Sequence, residues 1–195
     1  MEYQGKTITR LDRAKMALRM KSIDNKEKHA RDCVHRLKSE WGTGVSTLCI
    51  FYNATGDTIT LYAHHDWYGH IGPTAYPSEI ANGQWGCFLH VKNSGATSGS
   101  CASVTYRGLS NNGEKMYWLV AWSNPWSRIS YDNGVYTEVI THKRIDILDD
   151  LYDSIYSGLW NADRSHTHRF HGCLSDANTE SSTSPVLEAV FSLYY

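Results

Sequence analysis

The sequence predicts a mainly β protein: an antiparallel β-sandwich flanked by helices, with a two-helix segment at the N-terminus. Near residue 45, the spacing of apolar residues changes from the helical period to the alternation typical of strands. Short segments rich in β-branched residues then recur between turns rich in Gly and Asn. The chain has 195 residues, of which 41% are hydrophobic, so we expect one domain, or one domain with a small appendage.

Residues 1–44 form the predicted helical segment. Thr9 and Asp12 have the loose spacing of a capping box, which marks the start of a first helix. A second helix is expected to begin after Asn25 and to end at Gly42. Four apolar residues share one face of this second helix: Ala30, Val34, Leu37 and Trp41.

Charge divides the chain into two parts. Residues 1–45 contain 11 Lys and Arg against 6 Asp and Glu, whereas residues 46–195 contain 8 against 14. Basic amphipathic helices either lie on an anionic membrane or dock on their own domain, and the narrow apolar faces favour docking here. The net charge of the whole chain is −1, which argues against a nucleic-acid partner.

Residues 45–195 form the predicted sandwich domain. Residues 53–57 (NATGD) have the composition of a hairpin turn, and one inserted helix is expected at about residues 146–157, with aspartates on its solvent side. Residues 161–185 are interpreted as a long polar loop. Strands are predicted at residues 45–52, 58–63, 85–91, 102–106, 115–122, 134–141 and 186–193.

The residues with reactive side chains do not form a known catalytic pattern. The histidines at 64, 65 and 70, and those at 166, 168 and 171, fall in predicted loops and lack the spacing of a zinc site. The sequence contains no GxSxG, P-loop or GxGxxG motif. We therefore predict no enzyme activity, no metal and no cofactor. The five cysteines are scattered and odd in number, so we expect mostly buried, reduced thiols in a cytoplasmic protein.

Two aromatic loops are the best candidates for recognition. They lie at residues 67–76 and 126–136, where Trp and Tyr side chains alternate with Ser, Asn and His. Clustered aromatic rings can surround a quaternary ammonium group or stack on a sugar ring. Three aromatic side chains of these loops are predicted to lie at a membrane interface: Trp67, Trp126 and Tyr131.

Several long segments are distinctive: ITRLDRAKMALRMK, STLCIFYNATGDTITL, HDWYGHIGP, IANGQWGCFLHV and AWSNPW, which together extend over nearly the whole chain. They resemble segments of the plant 23-kDa jasmonate-induced proteins. The resemblance implies a stress- or defence-related protein.

Residues 45–195 are also similar, more distantly, to the actinoporins and to the fungal sphingomyelin/cholesterol-binding protein nakanori. The matching segments are residues 77–83, 98–101, 123–125 and 151–156. This resemblance implies an actinoporin-like sandwich with a pocket for the phosphocholine head of sphingomyelin. The residues that it implies for this pocket are Ser123, Pro125, Tyr136, Tyr152, Tyr156, Tyr68 and His70.

These observations predict a recognition protein that binds membrane lipid head groups, of the sphingolipid type, through an aromatic pocket. Peripheral contact with a membrane is expected, and a homo-oligomer is one assembly that the sequence allows. One alternative is a lectin-like module that binds a glycan in the same pocket. Another is an interaction or storage-type stress protein without a small ligand.

Overall fold

The computed structural model describes residues 7–129 and 131–194. The helices are α1 (Arg10–Arg19), α2 (Lys26–Trp41), α3 (His142–Ile145) and α4 (Leu148–Leu159), with a 3-10 turn at Ile23–Asn25. The strands are β1 (Ser46–Ala54), β2 (Ile59–Tyr68), β3 (His70–Ile71), β4 (Glu79–Ile80), β5 (Gln84–Val91), β6 (Ser100–Leu109), β7 (Lys115–Asn124), β8 (Gly134–Thr141), β9 (Ser165–Phe170), β10 (Cys173–Thr179) and β11 (Val186–Leu193).

The strands form two sheets that pack face to face. Sheet A has the order β3-β5-β1-β11-β10-β9, and sheet B has the order β4-β2-β6-β7-β8. Neighbouring strands are antiparallel except β1 and β11, which pair in parallel. The predicted β-sandwich flanked by helices is confirmed. The expectation of a hairpin turn at residues 53–57 is wrong, because β1 and β2 lie in different sheets and this segment crosses between them.

The core between the sheets is built from large side chains of both. Phe51 and Phe191 of sheet A meet Tyr106 of sheet B, with ring centroids 6.3–6.4 Å apart in both pairs. Trp118 and Trp122 of β7 are also fully buried there. Each such side chain contributes on the order of 2–3 kcal/mol through removal of apolar surface from water.

Helices α1 and α2 dock on the outer face of sheet A. The predicted capping box is present: the Thr9 hydroxyl accepts the Asp12 N–H (3.2 Å), and the Asp12 carboxylate accepts the Thr9 N–H (3.0 Å). Ala30, Val34 and Leu37 pack against β1 and β5 as expected, whereas Trp41 at the end of the stripe is partly exposed.

Helix α4 covers the outer face of sheet B, so the molecule has four layers: helices, sheet A, sheet B and helix. Leu148, Ile155 and Leu159 pack with apolar residues of β7 and β8. The helix spans 148–159, two residues later than the predicted range of about 146–157.

The interpretation of residues 161–185 as a polar loop is wrong, because they contain β9 and β10. Five of the six clustered histidines likewise lie in strands: residues 64 and 65 in β2, residue 70 in β3, and residues 166 and 168 in β9. His171 lies in the turn between β9 and β10, as a loop position would.

The prediction that the cysteines are reduced is wrong for two of the five. Cys33 of α2 and Cys87 of β5 form a disulfide with their Cα atoms 6.8 Å apart. It joins the helix covalently to the sheet beneath it. Cys49, Cys101 and Cys173 are free and buried, as expected.

Candidate functional site

A cavity of about 350 Å³ opens at one end of the sandwich, where sheet B meets the C-terminal end of α4. The ends of β2 and β7, the start of β6, the β7–β8 loop and the last turn of α4 form its wall. Its lining residues are Tyr68, Thr97, Ser98, Gly99, Cys101, Ser123, Asn124, Pro125, Trp126, Ser127, Tyr131, Asp132, Tyr156, Leu159 and Trp160.

Aromatic side chains from distant parts of the chain converge at this cavity. The Tyr156 hydroxyl donates to the Tyr68 hydroxyl (2.8 Å), which joins α4 to the end of β2. The ring of Trp160 lies edge-on to Tyr156 (5.6 Å) and to Tyr131 (5.0 Å). Trp67 stacks on Tyr156 at 5.6 Å and supports it from behind. The rings therefore hold one another in place, and several keep a face or an edge free for a ligand.

Polar groups complete the wall. The backbone N–H of Asn133 and the guanidinium of Arg128 hold the pKa of the Asp132 carboxyl below its usual range. Its oxygens lie 3.2 Å from Arg128 and 3.5 Å from Arg164. Burial raises the pKa of the Cys101 thiol to about 12, so this side chain is a neutral part of the wall.

A buried polar network lies beside the cavity and crosses between the sheets. Ser100 Oγ is 2.9 Å from Nδ1 of His90, and Nε2 of His90 is 3.2 Å from Asp66 Oδ1. Serine, histidine and aspartate in this order are the groups of a hydrolase triad. Here, however, Ser100 and His90 are completely buried, and Ser100 Oγ also accepts the Trp122 indole N–H (3.1 Å). A substrate would not reach Ser100, so the network serves to join the sheets.

The structure brings six of the sequence-predicted residues to the cavity: Ser123, Pro125, Tyr156, Tyr68, Trp126 and Tyr131. Ser123 and Pro125 are positioned where β7 ends. Proline has no N–H for a strand hydrogen bond, and the chain turns here into the aromatic loop.

Four other predicted residues do not line the cavity. Tyr152 is buried under α4 and stacks on His65 at 4.2 Å, and burial raises its pKa to about 12. Tyr136 stacks on His166 and donates to Glu138 (2.8 Å) on the outer side of β8. His70 lies in β3 against Trp41, and Trp67 lies behind the wall.

Sequence patterns did not identify two residues that lie at the cavity end of the molecule. Trp160 follows Tyr152 and Tyr156 at intervals of four, so the pattern that predicts one face of a helix also contains it. Ile129 lies in the β7–β8 loop and is 97% exposed, a value that an isolated isoleucine in the sequence does not reveal.

Among residues 7–129 and 131–194, no helix is both long and apolar enough to cross a membrane. In the same residues, no three side chains of His, Cys, Asp or Glu are grouped as metal ligands.

Comparison with known proteins relates the whole chain to one family. A family model described as Nakanori-like protein matches residues 1–194. A 23 kDa jasmonate-induced protein of Hordeum vulgare is 36% identical over 196 residues, which cover 100% of this chain and 91% of the relative.

Two solved structures have a similar fold. The crystal structure of the lipid binding protein Nakanori superposes with a TM-score of 0.86 and 30% identity, covering 98% of this chain and 92% of that protein. A lectin of Xerocomus chrysenteron superposes with a TM-score of 0.50 and 14% identity, covering 77% of this chain and 99% of the lectin. The second similarity extends to the sandwich fold alone.

Proposed function

Since this chain belongs to the Nakanori-like protein family, we propose that it binds membrane lipid head groups, of the sphingolipid type, in the cavity at the end of sheet B. It does so as a recognition protein without enzymatic activity. The similarity to a jasmonate-induced protein supports a role in stress or defence.

The convergence of aromatic rings and hydroxyls in a single open cavity carries this proposal. Tyr68, Tyr156 and Trp160 offer ring surfaces to a cation such as a quaternary ammonium group. Asp132 lies at the same opening, but its charge is already paired with Arg128 and Arg164, so the aromatic faces hold the cation. Serine hydroxyls donate to phosphate oxygens, and three lie in the wall: Ser98, Ser123 and Ser127.

The rim of the cavity suits contact with a bilayer surface. Trp126, Tyr131 and Trp160 are about half exposed there, and Ile129 extends from the same loop. Trp and Tyr favour the interfacial region of a bilayer, where an apolar ring and a polar tip are both accommodated. We assign Trp126, Tyr131 and Ile129 to this interface.

A matched pair of tyrosines on β2 tests the proposal. Tyr68 is 42% exposed and lines the cavity, whereas Tyr62 is 43% exposed and packs on Tyr117 away from it. We expect the protein to sediment with vesicles containing sphingomyelin and not with vesicles of phosphatidylglycerol, which has no ammonium group. Tyr68→Ala should weaken sedimentation about tenfold, because a cation–π contact is lost, and Tyr62→Ala should leave it unchanged. Equal binding by both variants, or no binding by the wild type, would refute the proposal.

A glycan is the second candidate ligand, because the half-exposed rings of Trp126 and Trp160 lie beside serine hydroxyls. A competition experiment with soluble ligands distinguishes a glycan from a lipid head group. Release from sphingomyelin vesicles by a free sugar would favour a lectin-like module, and release by free phosphocholine would favour the lipid head group.

A further inference from the structure

The edges of the two sheets meet along β8 and β9, and side chains join them there. Three alternate N–H groups of β8 face β9. The Val135 N–H donates to the carbonyl oxygen of Asp163 (3.0 Å), and the Val139 N–H donates to Nδ1 of His168 (3.0 Å). Between them, Nδ1 of His166 lies 3.2 Å from the Thr137 N–H and 3.0 Å from the Thr137 carbonyl oxygen. The imidazole of His168 thus occupies a position where a neighbouring strand would place a carbonyl oxygen.

This arrangement requires one protonation state of His168. Nδ1 accepts the Val139 N–H only when it carries no proton, so the ring is neutral with its proton on Nε2. Val139 is buried, and its N–H has no water to replace a lost acceptor. The bond between these two residues therefore exists only above the pKa of His168.

The groups around His168 oppose its protonation on balance. Burial lowers the pKa of His168, and Glu138 on β8 raises it in part. His166, on β9 like His168, and Arg144 on α3 lower this pKa further. Glu138 is itself occupied by an ion pair with Arg144. On β10, Asp176 accepts the hydroxyl of Thr167, on the other face of β9.

We propose that the contact between β8 and β9 is an acid-sensitive clasp. Protonation of His168 turns Nδ1 into a donor, breaks the bond to Val139 and releases this end of β8 from β9, whereas the bond from the Val135 N–H to the Asp163 carbonyl oxygen remains. The inference concerns the fold and does not depend on the proposed lipid ligand.

The other end of this contact lies beside the cavity. Strand β8 begins directly after the β7–β8 loop, whose Asp132 pairs with Arg164 immediately before β9. The loop that forms one wall of the cavity is therefore anchored to both strands of the clasp. The bond between the Val135 N–H and the Asp163 carbonyl oxygen next to this loop does not titrate, so we expect acid to open the contact at Val139 and to leave the cavity wall in place.

Amide hydrogen exchange at single residues tests the clasp. We expect the protection factor of the Val139 N–H to fall about tenfold or more between about pH 7.5 and pH 4.5, after correction for intrinsic exchange, since a buried donor loses its acceptor. The N–H of Val120, in the central strand β7, is the internal control for global unfolding and should keep its protection.

Two variants of His168 distinguish the effect of its protonation from the effect of losing its side chain. In His168→Asn, the side-chain carbonyl oxygen replaces Nδ1 as an acceptor and does not titrate, so the protection of Val139 should become independent of pH. In His168→Ala, protection should be low at every pH. The inference is overturned if Val139 and Val120 lose protection in parallel in the wild type, or if His168→Asn shows the same fall as the wild type.

Discussion

Replacement of Ile129 by serine is the sharpest test of the membrane contact that we propose. Ile129 lies between Trp126 and Tyr131 in the β7–β8 loop, and 97% of its surface is open to solvent. Its removal takes almost nothing from the folded core. Any effect of Ile129→Ser on binding to vesicles is therefore an effect on the bound state.

The expected loss of vesicle binding follows from the exposed surface of the Ile129 side chain. Complete burial of an isoleucine side chain is worth roughly 1.5–3 kcal/mol, and nearly all of that surface is available when the loop enters the interface. A loss of about 2 kcal/mol corresponds to about a 30-fold weaker partition into vesicles. Thermal unfolding of the variant should match that of the wild type.

A control of the same residue type lies at the other end of α4. Ile147 precedes the helix and is 48% exposed, whereas the cavity lies at the helix's last turn, about 18 Å away along its 12 residues. We expect Ile147→Ser to bind sphingomyelin vesicles like the wild type. If both variants bind as the wild type does, or if both lose the same amount, the loop around Ile129 is not the contact surface.

Two further predictions concern stability. The Cys33–Cys87 disulfide closes a loop with a sequence separation of 54. In urea titrations, the Cys33→Ser/Cys87→Ser double variant should lose up to about 4 kcal/mol of unfolding free energy. The Cys49→Ser/Cys173→Ser variant, which removes two buried free thiols, is the comparison without a lost cross-link. Burial lowers the pKa of His90, whereas its contact with Asp66 raises it in part, so the unfolded chain binds a proton more readily than the native protein. The contribution of His90 to stability is then complete above about pH 6.5 and is lost as the pH falls toward its native pKa. The urea midpoint should decline over this range, and a constant midpoint from about pH 7.5 to pH 5 would contradict the role assigned to burial.

The strands that sequence patterns identified are those with large apolar side chains. Strands β8 and β11 have the predicted bounds, 134–141 and 186–193. In β10 the buried positions hold Cys173, Ser175, Ala177 and Thr179, which alternate correctly but are small or polar, so an apolar pattern does not reveal them. Strand β9 has no buried residue at all, because it is an edge strand held by its backbone and its histidines.

The cavity was predictable only in part, for a reason visible on α4. Tyr152 and Tyr156 share one face of the helix, and this spacing places both toward sheet B. Tyr152 lies over the sheet and is covered by His65, whereas Tyr156 is one turn further along and reaches the end of the sheet, where Tyr68 and the β7–β8 loop leave a space. Which of two equivalent helical positions meets the cavity depends on where the sheet ends, and spacing within the helix contains no such information.

The basic N-terminal helices have a different role from the one that their charge first suggests. Arg10 and Arg13 both pair with Asp57 at 2.7 Å, and Lys21 and Arg31 both pair with the nearly buried Glu188, at 2.6 and 2.8 Å. These cations neutralise acids of the sandwich and are not available to an anionic membrane. The helices also cover sheet A, whereas the cavity opens at sheet B. These ion pairs between the two oppositely charged parts of the chain therefore help to hold the molecule together, and the membrane contact that we propose lies instead at the aromatic end of sheet B.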